Sequence, residues 1–191
     1  EGCIMATVIR DALIVTMNAS DDIVRGDVKI EGNTITAVGG RQDPDGGRVI
    51  EAGGRVLLPG FVQTHVHLCQ TLFRGCADDL ELMDWLRKRI WPLEAAHDEE
   101  SVYWSALLGA GELIRSGTTT ILDMETVRHT DSAFEAIREC GIRAVSGKAM
   151  MDHGDQVPPA LMEKTADSLE ESVRLLEKWD GAAGGRIRYA F

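Results

Sequence analysis

The chain has 191 residues, 44% hydrophobic and 27% charged, with a formal net charge of −11. That apolar content can fill one large core or two smaller ones, and an acidic balance without basic runs argues against nucleic acid or anionic membrane as a partner. No apolar run nears the roughly 18 residues of a membrane span, and the opening EGCIMATVIRDALIV lacks the basic stretch and cleavage site of a secretory signal.

Residues 1–4 read as an extension ahead of a native start at Met5. DALIVT, GDVKI, TITAV and RVLL are β-rich runs, and Gly32-Asn33 joins the second to the third as a hairpin. GGRQDPDGGR reads as a loop without periodicity. Residues 1–58 therefore form a small β domain, and the composition changes near Pro59-Gly60. From there the pattern alternates strand and helix. The stretch from Asp98 to Ser116 is predicted helical, with Asp98 capping its start, Gly117 ending it, and Tyr103, Leu107, Ala110 and Ile114 on one face. TTTILDM follows as a buried strand. A second helix spans Asp131 to Cys140, with Phe134 and Ile137 inward and Gly141 as stop, and IRAVSGKAMM is the next strand. A third helix is expected from Leu161 to Trp179, with the stripe Leu161, Thr165, Leu169, Ser172, Val173 and Leu176. RIRYAF opens a further strand.

Repeated βα units imply parallel strands joined by helical crossovers. An open doubly wound sheet and a (β/α)8 barrel both fit. No G-x-G-x-x-G follows a strand, which disfavours the nucleotide-binding form of the open sheet. A complete barrel takes about 250 residues, so residues 59–191 would supply strands 1 to 4, the first half.

LLPGFVQTHVHLCQTLFRG carries the most specific signal. Alternation along a strand puts Phe61, Gln63, His65 and His67 on one face and Val62, Thr64, Val66 and Leu68 on the other. The first face presents two imidazoles at the carboxyl end of the strand, where barrel active sites are built. Residues i and i+2 lie about 6.6 Å apart at Cα, close enough for both rings to lean onto one ion. H-x-H alone is a weak signal; Pro-Gly before it, the β-rich lead-in and the βα units after it sharpen the metal reading.

LLPGFVQTHVHL resembles the first barrel strand of the amidohydrolase superfamily. CQTLFRGCADDLELMDWLRKRIWPLEA, RSGTTTILDM and CGIRAV are similar to its S-adenosylhomocysteine/5′-methylthioadenosine deaminase branch, which sits beside chlorotriazine hydrolases and guanine deaminases. The resemblance implies one divalent metal, Zn2+ or Fe2+, with His65 and His67 as two of its ligands. It implies further ligands and a proton-shuttling Glu on strands five to eight, and a β segment completed into a sandwich by C-terminal strands. On this reading the chain is part of a longer polypeptide and is inactive alone. Glu94, in WPLEAAH, matches the residue that holds ribose hydroxyls; the alternative is a solvated helix-end acid. Lys148 stands where near relatives place a substrate-facing arginine. It keeps the charge but loses the planar fork, and a plain surface lysine is the alternative.

Several residues carry lesser expectations. Trp85 and Trp91 would pack as core or lid more readily than stack on a heterocycle. Gln70 and Arg74 would satisfy loop backbone, and His97 would be exposed. His129 follows a strand, His153 ends one, and either could approach the pocket, though nothing in their spacing demands it. Asp123 would sit on the active face and orient a loop or a ligand histidine. Cys3, Cys69, Cys76 and Cys140 form no C-x-x-C pair; reduced thiols in a cytoplasmic protein are the simplest reading, with no activated nucleophile among them.

The expected function is metal-dependent hydrolytic deamination of an adenosine-like purine, a small-molecule substrate, with neither nucleic acid nor membrane as partner; family members often pair as homo-oligomers. The rivals are guanine or 8-oxoguanine deamination, triazine dechlorination, a two-metal cyclic-amide hydrolase, and a non-enzymatic metal-binding half-barrel.

Overall fold

Residues 5–191 are described by a computed structural model; Cys3 and the extension read ahead of Met5 lie outside the described residues. Two compact units part between Pro59 and Gly60.

The first unit is built on β1 (Ala6–Val15), whose inward Ala12 and Ile14 meet Val28 and Ala52 in a small core. β2 (Ile23–Glu31) pairs antiparallel with β1, and β3 (Thr34–Val38) returns from β2 through a turn in which Gly32 holds φ +61. β4 (Arg48–Glu51) and β5 (Val56–Leu57) pair parallel to β1. The sheet order is β3-β2-β1-β4, with β5 also on β1. β4 was not expected. Its four residues follow a Gly/Asp-rich loop and are held as a strand by β1, from Thr7 to Arg10. A bulge interrupts β1 between Ile9 and Ala12, with Asp11 at φ +56. The buried Asp27 carboxylate braces it, accepting from the Asp11 amide at 3.0 Å and the Gln42 amide at 2.9 Å. Burial works against that charge. The two amides, with the guanidiniums of Arg41 and Arg10, outweigh it and hold the carboxyl below the usual range.

In the second unit β6 (Phe61–Val66) leads into a 3-10 helix at Leu68–Phe73. α1 (Leu82–Trp85), a π turn (Leu86–Ile90) and α2 (Trp91–Ala95) run on without a break. α3 (Glu99–Arg115) follows, started by a reciprocal capping box of Asp98 and Ser101. Next come β7 (Thr118–Glu125), α4 (Thr130–Cys140), β8 (Arg143–Lys148), α5 (Thr165–Trp179), the short α6 (Ala182–Gly185) and β9 (Ile187–Tyr189). The strands pair in parallel in the order β6-β7-β8-β9. Gly117 and Gly141 end α3 and α4 at φ +93 and +83, the left-handed stop expected of them.

Two helices bury a face shifted from the expected one, keeping Ala110 on α3 and Ser172 on α5. On α3 the buried residues are Val102, Ser105, Ala106, Gly109 and Ala110, whereas Ile114 is exposed and Tyr103 and Leu107 are only half-buried. The small side chains let α3 lie against the 3-10 helix: a Cβ on Gly109 would clash with the Thr71 hydroxyl and stand 3.0 Å from a Leu68 methyl. α5 begins at Thr165, four residues later than predicted, and buries Ser168, Ser172, Leu175 and Trp179; Leu169 and Val173 face out. Trp179 sets this phase. Its ring stacks on Phe134 at 5.2 Å and its indole N–H donates to Asp131 at 2.7 Å. β6 is also more open than its apolar pattern implied, with Val62 exposed. Among the described residues no helix is long and apolar enough to cross a membrane.

Candidate active site

β6 and β7 end side by side, Val66 opposite Asp123. His65 and His67 line a cavity of about 290 Å³ together with Leu122, Met124 and Phe191. Their Nε2 atoms lie 3.1 Å apart, with the rings at 84°. Nδ1 of His67 is 2.9 Å from the Met124 carbonyl. A carbonyl only accepts, so Nδ1 carries the proton and, in the neutral ring, Nε2 is the bare nitrogen. Two Zn–N arms of about 2.0–2.1 Å at a tetrahedral angle place their nitrogens about 3.3 Å apart. The observed separation fits that chord, and the donor set suits Zn, Fe, Ni or Cu. It equally fits a ring-to-ring hydrogen bond when no ion is bound. Among the described residues no group of three or more His, Cys, Asp or Glu side chains is arranged to hold a metal. The pair thus covers two of the about three protein ligands that a catalytic zinc takes.

Glu94 lies in α2 and is buried, which removes the reading of a solvated helix-end acid. Gln70 Nε2 donates to its Oε1 at 2.8 Å, Thr126 Oγ1 donates to its Oε2 at 3.1 Å, and the Cys69 thiol stands 3.9 Å from Oε1. Gln70 therefore serves a carboxylate rather than loop backbone. Arg74 serves neither pocket nor backbone: it makes a forked pair with Glu112 on α3, at 3.1 and 2.6 Å.

Asp123 and Glu125 share the buried face of β7 with Ile121, opposite to exposed Leu122 and Met124. The Asp123 carboxylate accepts from the Leu68 amide at 2.9 Å and the Ser146 hydroxyl at 2.6 Å, pinning the turn after His67, and Asp123 also lines the cavity of the two imidazoles. Burial pushes its carboxyl up despite those two bonds. Glu125 was missed because the strand was read as ending at Met124; one more step of alternation places it inward. Both its oxygens are buried without a hydrogen-bond partner. Burial and the adjacent Asp123 charge push it well above the usual carboxylate range. Burial, with the charges of Glu125, Glu94 and Asp123, likewise pushes the Cys69 thiol up, which leaves it un-ionised and no nucleophile.

Lys148 ends β8 with its side chain 1% exposed, its ammonium 2.6 Å from Glu163 and 3.1 Å from Ser168 Oγ. It lines the cavity of the two imidazoles, and it is not the plain surface lysine of the alternative reading. The charge is neutralised within the protein, where it ties the segment after β8 to the sheet; Arg128 adds bonds to the Ala160 and Met162 carbonyls. His97 is half-buried rather than exposed. It bridges the Cys69 carbonyl at 2.8 Å and the Ser101 hydroxyl at 2.9 Å, and stacks on Phe73. Trp85 and Trp91 are half-buried, and Trp85 lines a separate cavity of about 200 Å³ beside Gln70, Phe73 and Ile90. His129 sits at φ +61 before α4, and His153 is exposed.

A model of the amidohydrolase family matches residues 56–191. The 5′-deoxyadenosine deaminase of Methanobrevibacter smithii is 45% identical over 184 residues, covering 96% of this chain and 40% of that protein. The 5-methylthioadenosine/S-adenosylhomocysteine deaminase of Carboxydothermus hydrogenoformans is 42% identical, covering 87% and 37%. Among solved structures, E. coli guanine deaminase superposes with a TM-score of 0.80 at 28% identity, over 96% of this chain and 44% of that one. A zinc complex of the atrazine chlorohydrolase from Arthrobacter aurescens reaches 0.85 at 21% identity, over 97% and 46%, a likeness of fold alone. The chain spans about two fifths of the length of these curated relatives.

Proposed function

The chain belongs to the amidohydrolase family, and from that premise we propose that the polypeptide carrying it is a metal-dependent hydrolase that deaminates an adenosine-like nucleoside. Residues 59–191 are read as the first half of a (β/α)8 barrel and residues 1–58 as the opening segment of a β-sandwich. His65 and His67 are two ligands of one divalent metal, zinc in the first instance. The observation that carries this is the 3.1 Å approach of the two Nε2 atoms, with the Met124 carbonyl fixing the His67 tautomer. The metal, when bound, would supply a water acidic enough to react near neutral pH. His67 contributes a bare nitrogen in a set orientation. Leu122, Met124 and Phe191 give the cavity an apolar wall that limits water beside the base. Glu94 accepts the ribose hydroxyls.

The adenosine-type substrate is supported by relatives above 40% identity that bear deaminase names, and by the Glu94 carboxylate, whose oxygens each take one donor from the protein and keep lone pairs that two hydroxyls would use. Guanine deamination is the second reading, favoured by the 28% identity to the E. coli enzyme. The three cysteines among the described residues are free, which with the acidic balance fits a cytoplasmic enzyme with a small-molecule substrate, and pairing into a homo-oligomer fits the family. Two imidazoles are fewer than a catalytic zinc needs, so these 191 residues alone are expected to be inactive.

The test is a panel on the full-length, metal-loaded protein: 5′-deoxyadenosine, 5′-methylthioadenosine, guanine and atrazine, scored by ammonia or chloride release. Ammonia from the nucleosides, abolished by a chelator and restored by zinc, is expected. Turnover of guanine or atrazine alone, or activity indifferent to chelation, would overturn the reading.

A further inference from the structure

We propose that Gln70 and Thr126 are positioning residues that aim the Glu94 carboxylate at a vicinal diol and so set the enzyme's preference for ribonucleosides. The proposal rests on the ribose reading of Glu94 and goes beyond it by naming what makes that residue selective.

A free glutamate side chain has three rotatable bonds and many orientations, and ordering it opposes binding. Glu94 is already ordered. One oxygen is held by the Gln70 amide and the other by the Thr126 hydroxyl, at 2.8 and 3.1 Å. The two donors come from different segments, Gln70 from the 3-10 helix after β6 and Thr126 from the residue following β7. Together they fix the plane of the carboxylate as well as its position. An ionised carboxylate offers about four lone-pair sites. One neutral donor on each oxygen leaves acceptor capacity on both, which matches two hydroxyls on adjacent carbons. The Cys69 thiol, 3.9 Å from Oε1, is a weak donor that a hydroxyl would displace. Glu94 keeps 8% of its surface open. Gln70 lies three residues beyond His67 in a 3-10 helix, a rise of about 6 Å, and lines the neighbouring cavity of about 200 Å³; the proposal has one nucleoside reach from the imidazole pair to the cradle.

The measurement is a ratio: kcat/KM for adenosine over that for 2′,3′-dideoxyadenosine, on the full-length enzyme. A ratio is independent of the fraction of each variant that folds. Calorimetric Kd values for inosine and 2′,3′-dideoxyinosine give the same comparison without turnover. Gln70→Met and Thr126→Val should each lower the ratio by roughly tenfold, the scale of a hydrogen bond to a charged group, through KM with kcat little changed. Thr126→Ser, which keeps the hydroxyl, should restore it. If Glu94→Gln collapses the ratio while Gln70→Met and Thr126→Val leave it intact, the positioning role is wrong and the ribose reading survives. If Glu94→Gln itself leaves the ratio intact, the ribose reading fails and the positioning role fails with it. Equal losses on both nucleosides in the Gln70 and Thr126 variants would mark a merely structural part and overturn the proposal.

Discussion

The imidazole pair and the Glu94 cradle lie three residues apart in the chain at His67 and Gln70, yet they differ in how fully the protein satisfies them. His65 is exposed, on an edge strand of the described sheet, and its Nε2 meets only the other ring. Glu94 is buried, and each of its oxygens accepts a bond from a neighbouring segment. The first arrangement leaves lone pairs to be filled from outside; the second is assembled by the fold itself. On the proposed function the first would take a cation and the second would orient a ligand, and mutations in the two places should then fail differently.

The largest effect is expected at the pair. His65→Ala or His67→Ala should each drop the metal content of the full-length protein from about one per chain toward zero and kcat/KM by more than about 10³-fold. Folding of the metal-free form should change little, because neither ring is in the apolar core. A metal analysis and a melting curve on the same sample check both halves of that statement.

The contrast sharpens at Lys148, where the loss should be one of stability. Lys148→Met leaves Glu163, 3% exposed, with only the Ser168 hydroxyl at 2.7 Å and the Arg128 guanidinium at 3.6 Å as side-chain partners. Removing one partner of a buried ion pair costs about 3–5 kcal/mol, so denaturant unfolding should show a large drop. A substrate-contacting lysine would instead raise KM with stability preserved.

Gly109→Ala probes the support beneath the cradle. The added methyl meets Thr71 and Leu68, which flank Cys69 and Gln70. Overpacking of this kind costs about 1–3 kcal/mol, and the same unfolding experiment would read it.

Glu125→Gln should give the smallest effect and the only one that grows with pH. The folded pKa of Glu125 is raised above its ordinary 4.5. Its contribution to stability is therefore complete below about pH 4.5 and is lost as pH rises toward the folded value. An amide cannot ionise, so the variant should gain stability on the parent as the pH rises from about 5 to about 8. A difference that does not change with pH would mean that Glu125 is ionised in the fold.

Much of this was legible along the chain. The alternation of Phe61 to His67 put both histidines on one face, and glycines at 117 and 141 marked helix ends that the structure keeps. What escaped were contacts between segments. Gln70, Glu94 and Thr126 meet across separations of 24 and 32 residues, and no local pattern encodes such a meeting. The inward face of α3 was read only in part, at Ala110; Ala106 and Gly109 carry little hydrophobic signal while permitting the closest approach. The ion pair of Lys148 escaped for a related reason: its partner Glu163 lies in an irregular segment whose path periodicity cannot predict.

The most direct trial of the account is an anomalous-scattering map of the full-length protein grown with zinc. One peak is expected about 2.0–2.1 Å from Nε2 of both His65 and His67, with Nδ1 of His67 still on the Met124 carbonyl. A map with the peak elsewhere, or with either ring turned away from it, would contradict the account.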